Sequence, residues 1–158
     1  FIDIKFDFKA IKALANILCK NVSLDSLILQ YCNLSFAGMK ILAEALHKNT
    51  SLSTLSLLGN KYDHDKAREF EKEFYSNKSL KSLNLGSKPL SFNRGKVFAE
   101  TLYNDMSLTS LGLYNHLLDV EGLKAMAEAL GRNTVLTSLI LVSCAIGLQG
   151  VKTIAEAL

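Results

Sequence analysis

NVSLDSLILQYCNL, residues 21–34, returns as NTSLSTLSLLGNKY at 49–62, NKSLKSLNLGSKPL at 77–90, DMSLTSLGLYNHLL at 105–118 and NTVLTSLILVSCAI at 133–146. Each copy starts 28 residues after the last, without a gap. A fixed period of this length marks a repeat architecture and takes precedence over any local reading. Position 4 of the repeat holds Leu24, Leu52, Leu80, Leu108 and Leu136, and position 7 holds Leu27, Leu55, Leu83, Leu111 and Leu139. Position 9 is leucine throughout, from Leu29 to Leu141, and position 14 is apolar, with Leu34, Tyr62, Leu90, Leu118 and Ile146.

Positions 7 and 9 are two apart, the spacing that sends both side chains to one face of an extended strand. The second half of each repeat reads GMKILAEALHK, KAREFEKEFYS, GKVFAETLYN, GLKAMAEALGR or GVKTIAEAL. Its apolar residues recur at positions 22, 23 and 26, the stripe of an amphipathic helix. Residues 1–20 fit the same frame as the tail of a preceding repeat, with Phe6 at position 14 and Leu14, Ala15 and Leu18 at positions 22, 23 and 26. The expected organisation is one array over 1–158, with a partial repeat 1–20 and repeats 21–48, 49–76, 77–104, 105–132 and 133–158, read as a piece of a longer array. One strand and one helix cannot bury both apolar faces alone, whereas stacked copies share a continuous core. Parallel strands sit ~4.8 Å apart while helices need ~8–10 Å, so the stack must curve with strands inside and helices outside. The predicted fold is α/β, a right-handed solenoid forming a segment of a horseshoe.

The string SLxxLxLxxN/C, followed by an apolar position, a Gly and AEAL, resembles the ribonuclease-inhibitor-like class of leucine-rich repeats, found also in NOD-like receptors and RanGAP-type proteins. Uniform spacing is more similar to the NOD-like arrays than to an array that alternates two repeat lengths. The resemblance covers the whole chain and implies a scaffold that binds another protein, as the sensor or regulatory array of a NOD-like multidomain protein. The alternative it implies is a GTPase-activating protein resembling RanGAP, but no position here matches the loop residues such activity needs. The middle of the array departs from the pattern: position 12 holds Cys32, Asn60 and Cys144 but also Lys88 and His116. The Gly column at position 18 holds Gly38, Gly122 and Gly150 but Lys66 and Arg94 between them, with Gly95 one step late.

Composition narrows the function classes. The chain is 49% apolar with a formal charge of +3, ample for a core and too small and mixed a charge to mark a nucleic-acid or membrane binder. No apolar run reaches the roughly 18 residues that span a bilayer. Cys19, Cys32 and Cys144 are odd in number and widely spaced, which argues against a disulfide framework and for a cytoplasmic, reducing compartment. Four N-x-S sequons begin at Asn21, Asn33, Asn49 and Asn77, but three stand at position 1, where the repeat itself supplies Asn and Ser.

No constellation for catalysis emerges: there is no nucleophile elbow, no phosphate-binding loop and no ligand spacing for a metal or cofactor. Cys32, Cys144 and His116 occupy position 12, where a buried polar group is expected to satisfy turn backbone rather than do chemistry. Cys19 is expected to be a partly buried thiol at a helix end. Asp63, His64 and Asp65 are expected to cap a helix, His47 to close one, and Phe70 and Phe74 to fill core positions of a charged outer helix. The repeat 77–104 carries a net +4 from Lys78, Lys81, Lys88, Arg94 and Lys96 against Glu100, a basic spot able to steer an acidic partner or simply to be solvated.

Strand alternation turns positions 6, 8 and 10 away from the core, onto the concave face. The expected partner-binding residues are therefore Ser26, Ile28 and Gln30; Thr54, Ser56 and Leu58; Ser82 and Asn84; Ser110 and Tyr114; and Ser138, Ile140 and Val142. This face is small, uncharged and partly apolar, features of an interface. Uncapped terminal cores are further expected to allow end-to-end self-association.

Overall fold

The computed structural model of the chain describes residues 1–60, Phe74, 77–86, 95–104 and 107–158. Within them, strands β1 (Ser26–Ile28), β2 (Thr54–Ser56), β3 (Ser82–Gly86), β4 (Ser110–Tyr114) and β5 (Ser138–Val142) form one parallel sheet in chain order. Helices α1 (Phe8–Leu18), α2 (Phe36–Lys48), α3 (Gly95–Asn104), α4 (Val120–Leu130) and α5 (Gly147–Ala155) accompany them. Leu27 pairs with Leu55, Leu55 with Leu83, Leu83 with Leu111 and Leu111 with Leu139. The 28-residue period is thus the hydrogen-bonding register of the sheet, because a parallel neighbour is reached only after a full crossover.

The core follows the columns. Leu27, Leu29, Leu52, Leu55, Leu57, Leu80, Leu83, Leu85, Leu108, Leu111 and Leu113 are buried from the strand halves, and Leu42, Leu46, Phe98, Leu102, Met126 and Leu130 from the helices. Fully burying one such side chain stabilises the fold by roughly 1.5–3 kcal/mol. Position 26 fails once, at Leu158, which is exposed. Phe74 is helical and buried; Tyr62, Asp63, His64, Asp65, Phe70, Lys88, Leu90, Arg94 and the rest of the helix expected at 66–76 lie outside the described residues.

Residues 1–20 behave as the tail of a repeat. Ile2 bridges Gln30 on the edge of β1, the amino terminus donates to Ile28 O at 2.8 Å, and Ile11, Ala15 and Leu18 are buried. Position 15 caps helices at Asp7, Ser35 and Asp119, whose side chains accept from Ala10 N, Gly38 N and Gly122 N, satisfying N–H groups that a helix start leaves open. Basic His47 and Lys48 fall in the last turn of α2, the sign that complements its dipole.

Two side-chain ladders lock one repeat to the next. At position 1, Asn49 Nδ2 donates to Leu18 O and Asn21 O while its Oδ1 accepts from Ser51 N and Leu52 N. Asn77 repeats this with Leu46 O, Asn49 O, Ser79 N and Leu80 N, and Asn133 donates to Leu102 O at 2.7 Å. At position 3, Ser51 Oγ donates to Asn21 O and Leu24 O, and Ser79 Oγ to Leu52 O at 2.9 Å. The Asn and Ser of the sequons at Asn49 and Asn77 are ladder rungs, and both asparagines are buried, so neither amide is open to a glycan in the folded chain. Asn33 is exposed.

Candidate partner-binding surface

The outward face of the sheet is built by the strands' own alternation: β1, β3 and β4 bury Leu27, Leu83 and Leu111 and turn their position-6 neighbours out. Ser26 is exposed, and Thr54, Ser82, Ser110 and Ser138 are half-buried in a row, because register pairs each with the next. Position 8 brings Ile28, Asn84 and Ile140 to this face, and position 10 brings Gln30, Leu58, Tyr114 and Val142. Ile28, Ile140 and Val142 are 40%, 38% and 42% exposed.

Ser56 is a correction. It is only 4% exposed, because the Gln30 side chain lies over it and donates from Nε2 to its Oγ at 2.8 Å. A partner would meet Gln30 there instead. Periodicity could not show this, since it assigns a face without the length of the neighbouring side chain.

The centre of the face is set by two glycines. A Cβ on Gly86 would lie 2.6 Å from Tyr114 Cβ and 3.1 Å from Leu58 Cδ2, and one on Gly112 would lie 2.9 Å from Tyr114 Cε2. Tyr114 therefore passes over ground that only glycine leaves open, its Cβ beside Gly86 and its ring edge beside Gly112. The ring is a shallow apolar platform with a phenolic edge, the kind of group that anchors interfaces. Gly86 and Gly112, which offer no side chain for contact, determine its shape.

At the rim, position 11 is left-handed in Asp3, Tyr31, Gly59, Asn115 and Ser143, with φ between 54° and 72°. The chain must turn sharply out of each strand there. A hint existed in Gly59 and Asn115, residues that tolerate this region, but Tyr31 and Ser143 disguise the column.

Position 12 satisfies turns as expected, most fully at Asn60. Its Oδ1 accepts from Cys32 N and Leu34 N at 3.0 and 3.2 Å, and its Nδ2 donates to Leu29 O and Leu57 O at 2.7 and 3.0 Å. Cys32 Sγ turns to Gln30 O at 3.2 Å. His116 is buried with its ring edge-on to Phe98, 5.0 Å between centroids. Burial pushes the Cys144 thiol above its usual range, opposed in part by hydrogen bonding to the backbone of His116 and Val142. Cys19, expected to be partly buried, is exposed. Lys78, Lys81 and Lys96 of the basic repeat are exposed.

Among the described residues no group of three His, Cys, Asp or Glu side chains could hold a metal ion, and no helix is long and apolar enough to cross a membrane. No family model matches the chain, and no curated protein sequence matches it. Among solved structures it is similar to one described as the tropomodulin C-terminal domain, from structural genomics of Caenorhabditis elegans. The TM-score is 0.72 at 18% identity, covering 93% of this chain and 90% of that one. At this identity the likeness is one of fold.

Proposed function

We propose that the chain is a leucine-rich-repeat solenoid of the ribonuclease-inhibitor-like class that binds another protein through its concave strand face and has no catalytic role of its own. On this reading it serves in the cytoplasm as the sensor or regulatory array of a NOD-like multidomain protein. The in-order parallel sheet with its 28-residue register, the Asn and Ser ladders and the whole-chain fold likeness all favour a solenoid.

The observation that carries the binding role is the make-up of the outward face: positions 6, 8 and 10 of five strands contain no charged residue, yet expose Ile28, Ile140 and Val142. Burying a charge against such a face would cost more than it returns; the matching surface is apolar with hydroxyl or amide groups for the serine row. Five strands with three outward positions give about 15 contact sites, fewer than the ~20–30 residues a standard interface uses per side, so the face supplies part of a larger contact.

The test is capture of the partner by the double variant Leu58→Glu, Tyr114→Glu. Both side chains are half-buried on the outward face, and circular dichroism should stay unchanged while capture is lost. Undiminished capture would move the site to the helices or loops and sink this reading.

A further inference from the structure

β3 is the middle strand of the sheet, with two strands on either side, and Asn84 stands at its centre on the outward face. It pairs in register with Ser56 on β2 and Gly112 on β4. A Cβ on Gly112 would lie 3.2 Å from Asn84 Cγ and 2.9 Å from Tyr114 Cε2, so the carboxamide and the ring edge together occupy the space that Gly112 leaves. Packing thus holds the amide in place, yet neither its Oδ1 nor its Nδ2 has a hydrogen-bond partner among the described residues. Every other buried or half-buried Asn or Gln among them has at least one: Asn21, Asn49, Asn60, Asn77 and Asn133 in the ladders and turns, and Gln30 on Ser56. Tyr114 Oη, half-buried on the next strand, has none either.

Water satisfies such an amide while the face is free. Covering it without replacing those bonds is costly, so the group that covers Asn84 must present a donor and an acceptor side by side. A carboxylate offers acceptors alone and an ammonium donors alone. An extended peptide presents the N–H and C=O of one residue along the same edge, the pair that antiparallel strands exchange.

We propose that the centre of the sheet face receives an extended, uncharged peptide segment of the partner and that Asn84 recognises its main chain. Nδ2 donates to the C=O, and Oδ1 accepts from the N–H, of a single residue. A neighbouring apolar side chain rests on Leu58 and Tyr114, which flank Gly86. Because the amide is already packed against Gly112 and Tyr114, little ordering is left to pay on binding. The main-chain contact fixes the position and direction of the segment, while the apolar contact and the exclusion of charge select its sequence. The assignment rests on the outward face being the binding surface and names what that surface takes.

A phage-displayed library of random dodecapeptides, panned on the full chain, supplies the probe. A selected peptide is synthesised with each backbone N–H methylated in turn, and its affinity for the parent chain, Asn84→Leu and Asn84→Asp is measured by fluorescence anisotropy. The selected core should be uncharged. One methylation should weaken binding to the parent about five- to tenfold, the worth of a hydrogen bond, and cost nothing further against Asn84→Leu, the signature of a coupled pair. Asn84→Asp keeps acceptors but loses the donor and should weaken the peptide at least as much, with circular dichroism of both variants matching the parent; it serves for the cycle if Asn84→Leu misfolds. No selected peptide, a charged consensus, or methylation losses that add to the loss from Asn84→Leu at every position would each overturn the proposal. A peptide that Leu58→Glu, Tyr114→Glu abolishes but that is uncoupled to Asn84 overturns only this inference, whereas binding indifferent to that double variant removes the sheet face as the site and takes the function proposed above with it.

Discussion

Gly95 lies against the backbone of Gly122: a Cβ built on it would stand 2.5 Å from the Gly122 carbonyl carbon and 2.7 Å from its oxygen. Elsewhere the helix-start glycine faces a side chain, Gly38 facing Ile11 and Gly150 facing Leu123. The one-step displacement of glycine in the 77–104 repeat is therefore compensated across the α3–α4 contact, where two glycines let the backbones approach.

Gly95→Ala should push α3 off α4. Overpacking against backbone, which cannot rotate away, costs about 1–3 kcal/mol, and thermal unfolding should show Tm lower by several degrees. If Gly95→Ala unfolds at or above the parent temperature, as an ordinary helix substitution would, the close approach is not present in solution.

Asn60→Ala strips four hydrogen bonds from buried backbone of two repeats at once. Leaving buried donors and acceptors unmet should cost about 3 kcal/mol, which for a chain of this size lowers Tm by roughly 6–12 °C. Asn60→Asp keeps the acceptors but loses both donations, so in urea unfolding near neutral pH it should also be destabilised.

Ser143→Gly and Ser143→Val should move stability in opposite directions. Ser143 has φ 54° and is exposed, so glycine removes a Cβ conflict worth about 0.5–1 kcal/mol, while valine adds a branched one of about 1–2 kcal/mol. Equal midpoints for the two variants in chemical denaturation would contradict the left-handed turn at position 11.

Cys144 predicts a pH dependence. Its folded thiol titrates above the ordinary value because burial disfavours the thiolate. The stability it contributes is thus full below about pH 8.5, the unperturbed thiol range, and is lost as pH rises through the folded value. Alkylation of Cys144 by iodoacetamide should turn on at higher pH than for free cysteine, and Cys144→Ala should flatten the alkaline decline in stability. A reaction profile matching that of free cysteine would remove the basis for the shift.

Much of this molecule was legible from column alignment. The leucines of positions 4, 7 and 9 name the strands, their inward faces and, through the period, the register itself, because in a repeat every element meets its own copy one period away. The helix stripe at Leu42, Ala43 and Leu46 was legible for the same reason. Columns also explained the sequon asparagines as pattern before the ladder bonds of Asn49 and Asn77 were visible. They misplaced Ser56 and treated Cys19 as partly buried, since periodicity assigns a direction and not what a neighbour covers.

What the amino-acid order determined alone is the one-dimensional part: which residues recur, which face each takes, and that the outward columns carry no charge. What only the tertiary structure decided lies across the repeats. Gln30 closing over Ser56, Tyr114 passing over Gly86, Asn60 serving the turn of the previous repeat and Gly95 meeting Gly122 all join residues 26–31 positions apart. Each depends on distances of a few tenths of an ångström between copies that are not identical. A period specifies where the next copy stands, while close packing determines what its particular side chains do to their neighbours.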